Sequence, residues 1–159
     1  MGAKGEALAK QFEAKAQEAT ATLEKLSDVD WKKVTDAEKW PVGVTAHHVA
    51  GSHEPIANII KAVAAGQSLG NFTMGMLDEM NAKHAKEHAG CTRTDTIALH
   101  KNGAAAAAAV VRGLSDDQLA KSGTVLTGAP PMTAEQVVTG ILINHIDDHF
   151  GSIRKTVGH

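Results

Sequence analysis

The segment ILINHIDDHFGSIRK sets His145 and His149 four residues apart inside an apolar stretch. On an α-helix that spacing puts both imidazoles on one face with Cβ atoms about 5–6 Å apart, close enough for the two rings to grip one ion. A helix turns roughly 100° per residue, so each side chain can be placed against the mean apolar direction of its helix. Val137, Val138, Ile141, Leu142, Ile146, Phe150, Ile153 and Val157 define that direction here. His149 falls within about 10° of it and His145 within about 50°, so both point inward. Asp147 falls about 150° away and Asp148 to the side, facing solvent. The pattern is H-x-x-x-H with Ile146 where the zinc-protease motif carries glutamate, which excludes a metalloprotease.

Two ligands leave a first-row metal under-coordinated, so a third must come from another helix. The segment WPVGVTAHHVAGSHEP offers three histidines. Measured against Val44, Val49, Ile56, Ile59, Ile60 and Val63, His48 lies about 60° from the inner direction, His53 about 80° and His47 about 160°. His48 is the preferred third ligand, and His47 is expected at the surface. A second i, i+4 pair, His84 and His88 in HAKEH, follows the stripe of Met74, Leu77 and Met80. Phase alone does not exclude it, yet it sits beside Lys83, Lys86 and Glu87 just before Gly90, where imidazolium charge suits a helix C-terminus. It reads as a partly exposed helix end. His100 and His159 have no partner at ligand spacing, Cys91 reads as incidental, and Arg154 as a surface residue. Asn144 could support its neighbour His145 from behind, although packing is the plainer role for it.

The elements that must position these residues are helical. Segments rich in Ala, Leu, Glu, Lys and Gln alternate with short Gly, Pro and Ser breaks, and no strand-like alternation is flanked by hairpin turns. A first helix is expected over residues 5–26, followed by the linker SDVDWKKVTDAEKWPVG. A second starts after Pro41, runs to Gly66 and should kink at Pro55. A third covers TMGMLDEMNAKHAKEHA, and a fourth runs from TRTDTIALHKN through the alanine run 104–109 to Gly113. After the loop SGTVLTGAPPM, Thr133 with Glu135 and Gln136 opens a last helix to Val157. The expected fold is all-α: an up-and-down bundle of four main helices with one shorter additional piece, in a single domain over residues 1–159. The alanine run reads as a place where two helices approach closely. The fourth helix's alanine surface and the face from Asp78 to Asn81 are candidate walls of a pocket.

Composition narrows the function. With 16 basic and 18 acidic residues, a net charge of −2 and 3% aromatics, the chain lacks the basic, stacking surface that nucleic acid requires. One cysteine excludes an internal disulfide or a cysteine-cluster metal site and suits a reducing cytoplasm. No apolar run approaches the roughly 18 residues that span a bilayer. The opening MGAKGEALAK lacks a signal-peptide core, and Glu6 stands where a myristoylation signal has Ser or Thr.

Trp40 with His48 eight positions on, then NAKHAKEHAG, then NHIDDHFGSIRK, resembles the DinB-like, or YfiT-like, family of metal-binding four-helix bundles. In that family a histidine early in the second helix and an H-x-x-x-H pair in the last bind a divalent metal. The resemblance therefore implies His48, His145 and His149 as ligands. It further implies activities such as bacillithiol- or mycothiol-type S-transfer and mycothiol-dependent maleylpyruvate isomerisation. Three classes stay open: a metal-dependent thiol S-transferase or related thiol-using enzyme, a hydrolase or isomerase using activated water, and a non-enzymatic metal- or ligand-binding bundle. An all-imidazole set suits zinc or nickel, with iron or copper as further options. The expected partners are a small-molecule substrate, a low-molecular-weight thiol and a second copy of the chain in a two-fold dimer.

Overall fold

The computed structural model describes residues 2–158. Four long helical units make the bundle: α1 (Ala3–Lys25), α3 (Val42–Ala64), α5 (Arg93–Arg112) and a composite C-terminal unit. That last unit runs through α7 (Ala134–Val137), a π-helical turn (Val138–Ile143) and α8 (Asn144–Val157). Three shorter helices, α2 (Asp28–Lys32), α4 (Met74–Glu87) and α6 (Asp116–Ala120), lie in the connections. A two-residue ladder pairs β1 (Ser122–Gly123) with β2 (Met132–Thr133). The all-α four-helix bundle expected from the helix-period patterns is thus what the chain adopts.

Start signals explain most boundaries. Ser27, Ser115 and Thr133 each cap a helix while the side chain three residues on returns the hydrogen bond to the cap's own N–H. Thr73 and Thr92 cap α4 and α5 through one hydroxyl each. Gly158, at φ 85°, closes α8 in the left-handed region that glycine tolerates. Two pieces escape the sequence patterns. The linker after α1 holds α2, and the stretch before β1 holds α6; both are single capped turns too short to show periodicity. Pro55 sits inside an uninterrupted α3. Its missing N–H leaves the Gly51 carbonyl without its helical partner.

Helix α3 packs along α5, α5 along α1, and α8 closes the ring against α3 and α1. Alpha-1 and α3, consecutive long helices, therefore face each other across the diagonal, which is why their connection is long enough to hold α2. Small residues set the α5 spacing. Ala104, Ala107 and Ala108 are buried, and a Cβ on Gly103 would stand 3.3 Å from the Ala50 carbonyl oxygen. The alanine run is thus a seam of close approach and lies outside the pocket it was expected to line. Phe12, Leu23, Ile60, Leu142, Ile146, Phe150 and Ile153 fill the centre between the helices.

This seam has no spare volume, so Ala107→Leu is expected to destabilise the protein by about 1–3 kcal/mol through overpacking. Urea unfolding should show a lower midpoint at an unchanged m-value.

Candidate metal centre

His48 projects from the second turn of α3, and His145 and His149 from the first two turns of α8. The Nε2 atoms of His48 and His145 lie 3.0 Å apart. The three ring centroids are separated by 4.7, 5.1 and 4.6 Å, and one nitrogen from each ring lies within 4.8 Å of the other two. The residues singled out by helical phase are therefore brought together. The π-helical turn just before α8 helps to aim them. Its wider winding rotates the apolar stripe, so that Ile143 is buried while Ile141 moves to the wall of a cavity.

A fourth side chain completes the arrangement, and it comes from the linker. The Nδ1–H of His149 donates to Glu38 Oε2 at 2.6 Å, and Ser152 Oγ donates to the other carboxylate oxygen at 2.7 Å. Burial pushes the Glu38 carboxyl up, but these hydrogen bonds outweigh it and hold the pKa below the usual carboxylate value. An ionised carboxylate only accepts, so Nδ1 of His149 carries a proton and Nε2 is the nitrogen left for the cluster. The segment carrying Glu38 is a closed turn. Thr35 N–H donates to the Trp40 carbonyl at 2.9 Å, and Lys39 N–H to the Thr35 carbonyl at 3.1 Å. Lys39 adopts φ 63° to close it, and Trp40 is left edge-on to His48 at 5.3 Å.

Burial, and then the neighbouring imidazoles, pull His48 and His145 down to about 3. Both are uncharged at neutral pH. His145 Nδ1 is buried without a hydrogen-bond partner, and its Nε2 can share only one proton with His48. Three imidazoles with converging nitrogens, two of them kept neutral by burial, one oriented by a carboxylate behind it and one with an orphaned atom, fit a divalent metal. For tetrahedral zinc at about 2.0–2.1 Å from each nitrogen, ligand nitrogens stand roughly 3.3 Å apart, close to the 3.0 Å between His48 and His145.

The cluster opens onto a cavity of about 470 Å³. Its walls are Trp40 and Ile141, the α3 residues Gly51, Ser52, Pro55, Ile56 and Ile59, Phe72, the α4 residues Leu77, Met80, Asn81 and His84, and Val125 and Leu126. Asn81 belongs to it; Asp78 does not. Among the described residues no carboxylate lines the cavity.

Several expectations need correction. His47 is half-buried instead of at the surface, because α4 packs outside the bundle on the side of α3 that faces away from the core. Its Nδ1 lies 2.8 Å from His84 Nε2, and His88 stacks on it. His100 is buried and partnered. Its Nε2–H donates to the Ala16 carbonyl at 2.9 Å, and its Nδ1 accepts from His53 Nε2 at 3.0 Å. Asn144 donates to Asp148 at 3.3 Å rather than supporting His145. Arg154 is half-buried and donates to Thr22 on α1. Cys91 bonds to the Gly43 carbonyl through Sγ, and its own carbonyl accepts from Trp31 Nε1. His159 lies outside the described residues.

The sequence profile of the DinB superfamily matches residues 11–153. The chain belongs to that superfamily. A search of curated proteins finds no matching sequence. Among solved structures, a mycothiol-dependent maleylpyruvate isomerase is similar with a TM-score of 0.72 at 13% identity, over 94% of this chain and 60% of that one. This chain therefore spans about 60% of the isomerase's length. YfiT from Bacillus subtilis, described as "a probable metal-dependent hydrolase with an unusual four-helix bundle topology", is similar with a TM-score of 0.70 at 19% identity. That likeness covers 98% of this chain and 86% of YfiT. At such identities the likeness is one of fold. Within the described residues no helix is long and apolar enough to cross a membrane.

The buried imidazoles set a pH dependence. His48, His53 and His145 stay neutral in the folded chain down to about 3, whereas unfolded histidine titrates near 6.5. Between those values the unfolded chain binds protons that the folded chain refuses, so stability is full above about pH 6.5 and falls as pH drops. Metal-free protein should lose on the order of 1 kcal/mol per pH unit for each such imidazole below about pH 6. Urea midpoints measured at about pH 7 and pH 5 check this, and a flat profile would contradict it.

Proposed function

We propose that His48, His145 and His149 hold one divalent ion, zinc or nickel, and that the protein is a metal-dependent enzyme transferring a small thiol to an electrophile. The observation that carries this reading is that three converging imidazoles open directly onto a cavity with largely apolar walls and no carboxylate. Bound there, the ion would supply a thiol already deprotonated at neutral pH.

The chain's own residues do the rest. Glu38 keeps Nε2 of His149 aimed inward, and burial keeps His48 and His145 uncharged, so that neither of those rings repels a cation. Ile56, Ile59, Leu77 and Met80 exclude water from the sulfur and hold the electrophile's apolar body. Asn81 offers an amide on the same wall to orient a polar group of that electrophile. A reaction through activated water would want a general base beside the substrate. The cavity wall supplies no acidic one, whereas a thiolate needs no base for its attack.

Purified without a histidine tag and loaded with zinc or nickel, the wild type should consume an aryl or alkyl electrophile only when a low-molecular-weight thiol is present. His149→Ala should keep its helical circular dichroism and lose turnover. Glu38→Gln should bind the metal about 10–100-fold more weakly, the usual effect of removing a carboxylate behind a ligand histidine. Turnover of an ester without thiol would replace this reading with the water-using one. Failure of His48→Ala, His145→Ala and His149→Ala to change metal binding would overturn both.

A further inference from the structure

His47, His84 and His88 form a second histidine trio that shares no residue with the first. One nitrogen from each ring lies within 4.8 Å of the other two. His47 Nδ1 is 2.8 Å from His84 Nε2, and the ring centroids lie 5.0, 4.2 and 4.6 Å apart. His84 Nδ1 is buried and has no hydrogen-bond partner. His47 and His48 are neighbours on α3, and the turn of roughly 100° between them sends the His47 ring toward α4 and the His48 ring toward α8, with His84 of α4 edge-on to it at 5.5 Å. The i, i+4 spacing of His84 and His88 puts both on the face of α4 that meets His47.

Helix α4 has little else to hold it in place. None of its residues is buried, and Met74 and Met80 are 59% and 58% exposed. Its flanks are tied down, before it by the paired hydrogen bonds between Phe72 and Thr127, and after it by Cys91 against Gly43 and Trp31. Between those ties, the imidazole cluster supplies its contact with His47 of α3. Yet Leu77, Met80, Asn81 and His84 of this helix form one wall of the cavity beside the first trio. The helix that covers the cavity thus has no buried residue of its own.

We propose that His47, His84 and His88 bind a second divalent transition-metal ion and that this ion fastens α4 over the cavity. Three imidazoles satisfy the donor preference of zinc, nickel or copper, and the half-exposed position of His88 leaves room for water at the remaining coordination position. The ion would join α3 to α4 in the way a structural zinc site joins the segments supplying its ligands. The second site does not depend on the thiol chemistry or on occupation of the first.

Untagged, demetallated protein titrated with zinc, buffered at about 1 μM free ion, should take up about two ions per chain. His47→Ala, His84→Ala and His88→Ala should each bind about one, and so should His149→Ala, while the double variant His47→Ala/His149→Ala binds none. Zinc should slow amide hydrogen exchange across α4 by about tenfold or more in the wild type and in His149→Ala, but not in His47→Ala or His88→Ala. His88→Gln, which keeps a polar side chain without a ring, separates ligand loss from any packing defect and should behave like His88→Ala. Uptake of a single ion, lost in His149→Ala and kept in His47→Ala and His88→Ala, would overturn the second site while sparing the first. Uptake of a single ion with the reverse pattern would uphold the second and remove the first. Two ions without slower exchange in α4 would overturn the fastening.

Discussion

The hydrogen bond from His149 to Glu38 connects the parts of this molecule that matter for chemistry. It joins the C-terminal helix to the turn between α1 and α3, and that turn is held by its own backbone hydrogen bonds at Thr35, Lys39 and Trp40. Because the carboxylate stays ionised, the bond also decides which nitrogen of His149 carries the proton. One contact of 2.6 Å therefore fixes a ring's position, its orientation and its tautomer at once. With His149 placed in this way, His145 one turn earlier and His48 across the interface face the same point. Burying uncharged imidazoles costs stability in acid, and the fold bears that cost where the rings converge.

Such a cluster needs a scaffold that does not shift. The seam of glycine and alanine between α3 and α5 brings two backbones close, and the Ala16 carbonyl of α1 is tied through His100 to His53 of α3. The His53–His100 pair lies one to two turns along α3 from His48 and on its core side. It is a chain of hydrogen bonds, from His53 through His100 to the α1 backbone, in a region otherwise filled by apolar side chains that include Phe12 and Phe150. Its effect is to fix the register of α3 against α1 and α5, and so the height at which His48 meets α8.

Much of this was legible in the sequence, because the relevant signals are local and periodic. Helical phase turned His145 and His149 inward, selected His48 from its two neighbours, and gave the four long helices from cap residues and apolar stripes. What it could not give was anything set by the path of an aperiodic segment. Glu38 lies 111 residues from His149 in a stretch whose turn chemistry says only that the chain bends. The π-helical turn has no composition of its own, so a uniform rotation per residue misplaces Ile141 and Ile143. His47 was misplaced for a different reason. Phase measures direction relative to the bundle core, and it assigns the opposite side to solvent. An extra helix docked on that side turns an outward histidine into a partly buried one.

That last error bears on how the superfamily's bundle can be elaborated. A helix in the core of a bundle normally has one face for packing and one for water. Alpha-3 has two working faces, because His47 turns to α4 while His48, next in sequence, turns to α8 and touches α4 only through the edge of His84. The inner one meets α8 through a histidine pair spaced i, i+4, and the outer one meets α4 through another pair with the same spacing. In both places an interface that aliphatic packing could have sealed is instead built from ring nitrogens facing one another, with His84 Nδ1 and His145 Nδ1 buried and unpartnered. Apolar residues at these positions would give a tighter and more stable contact. The two proposed metal sites would then make the cover of the cavity, as well as its floor, responsive to the same class of ligand.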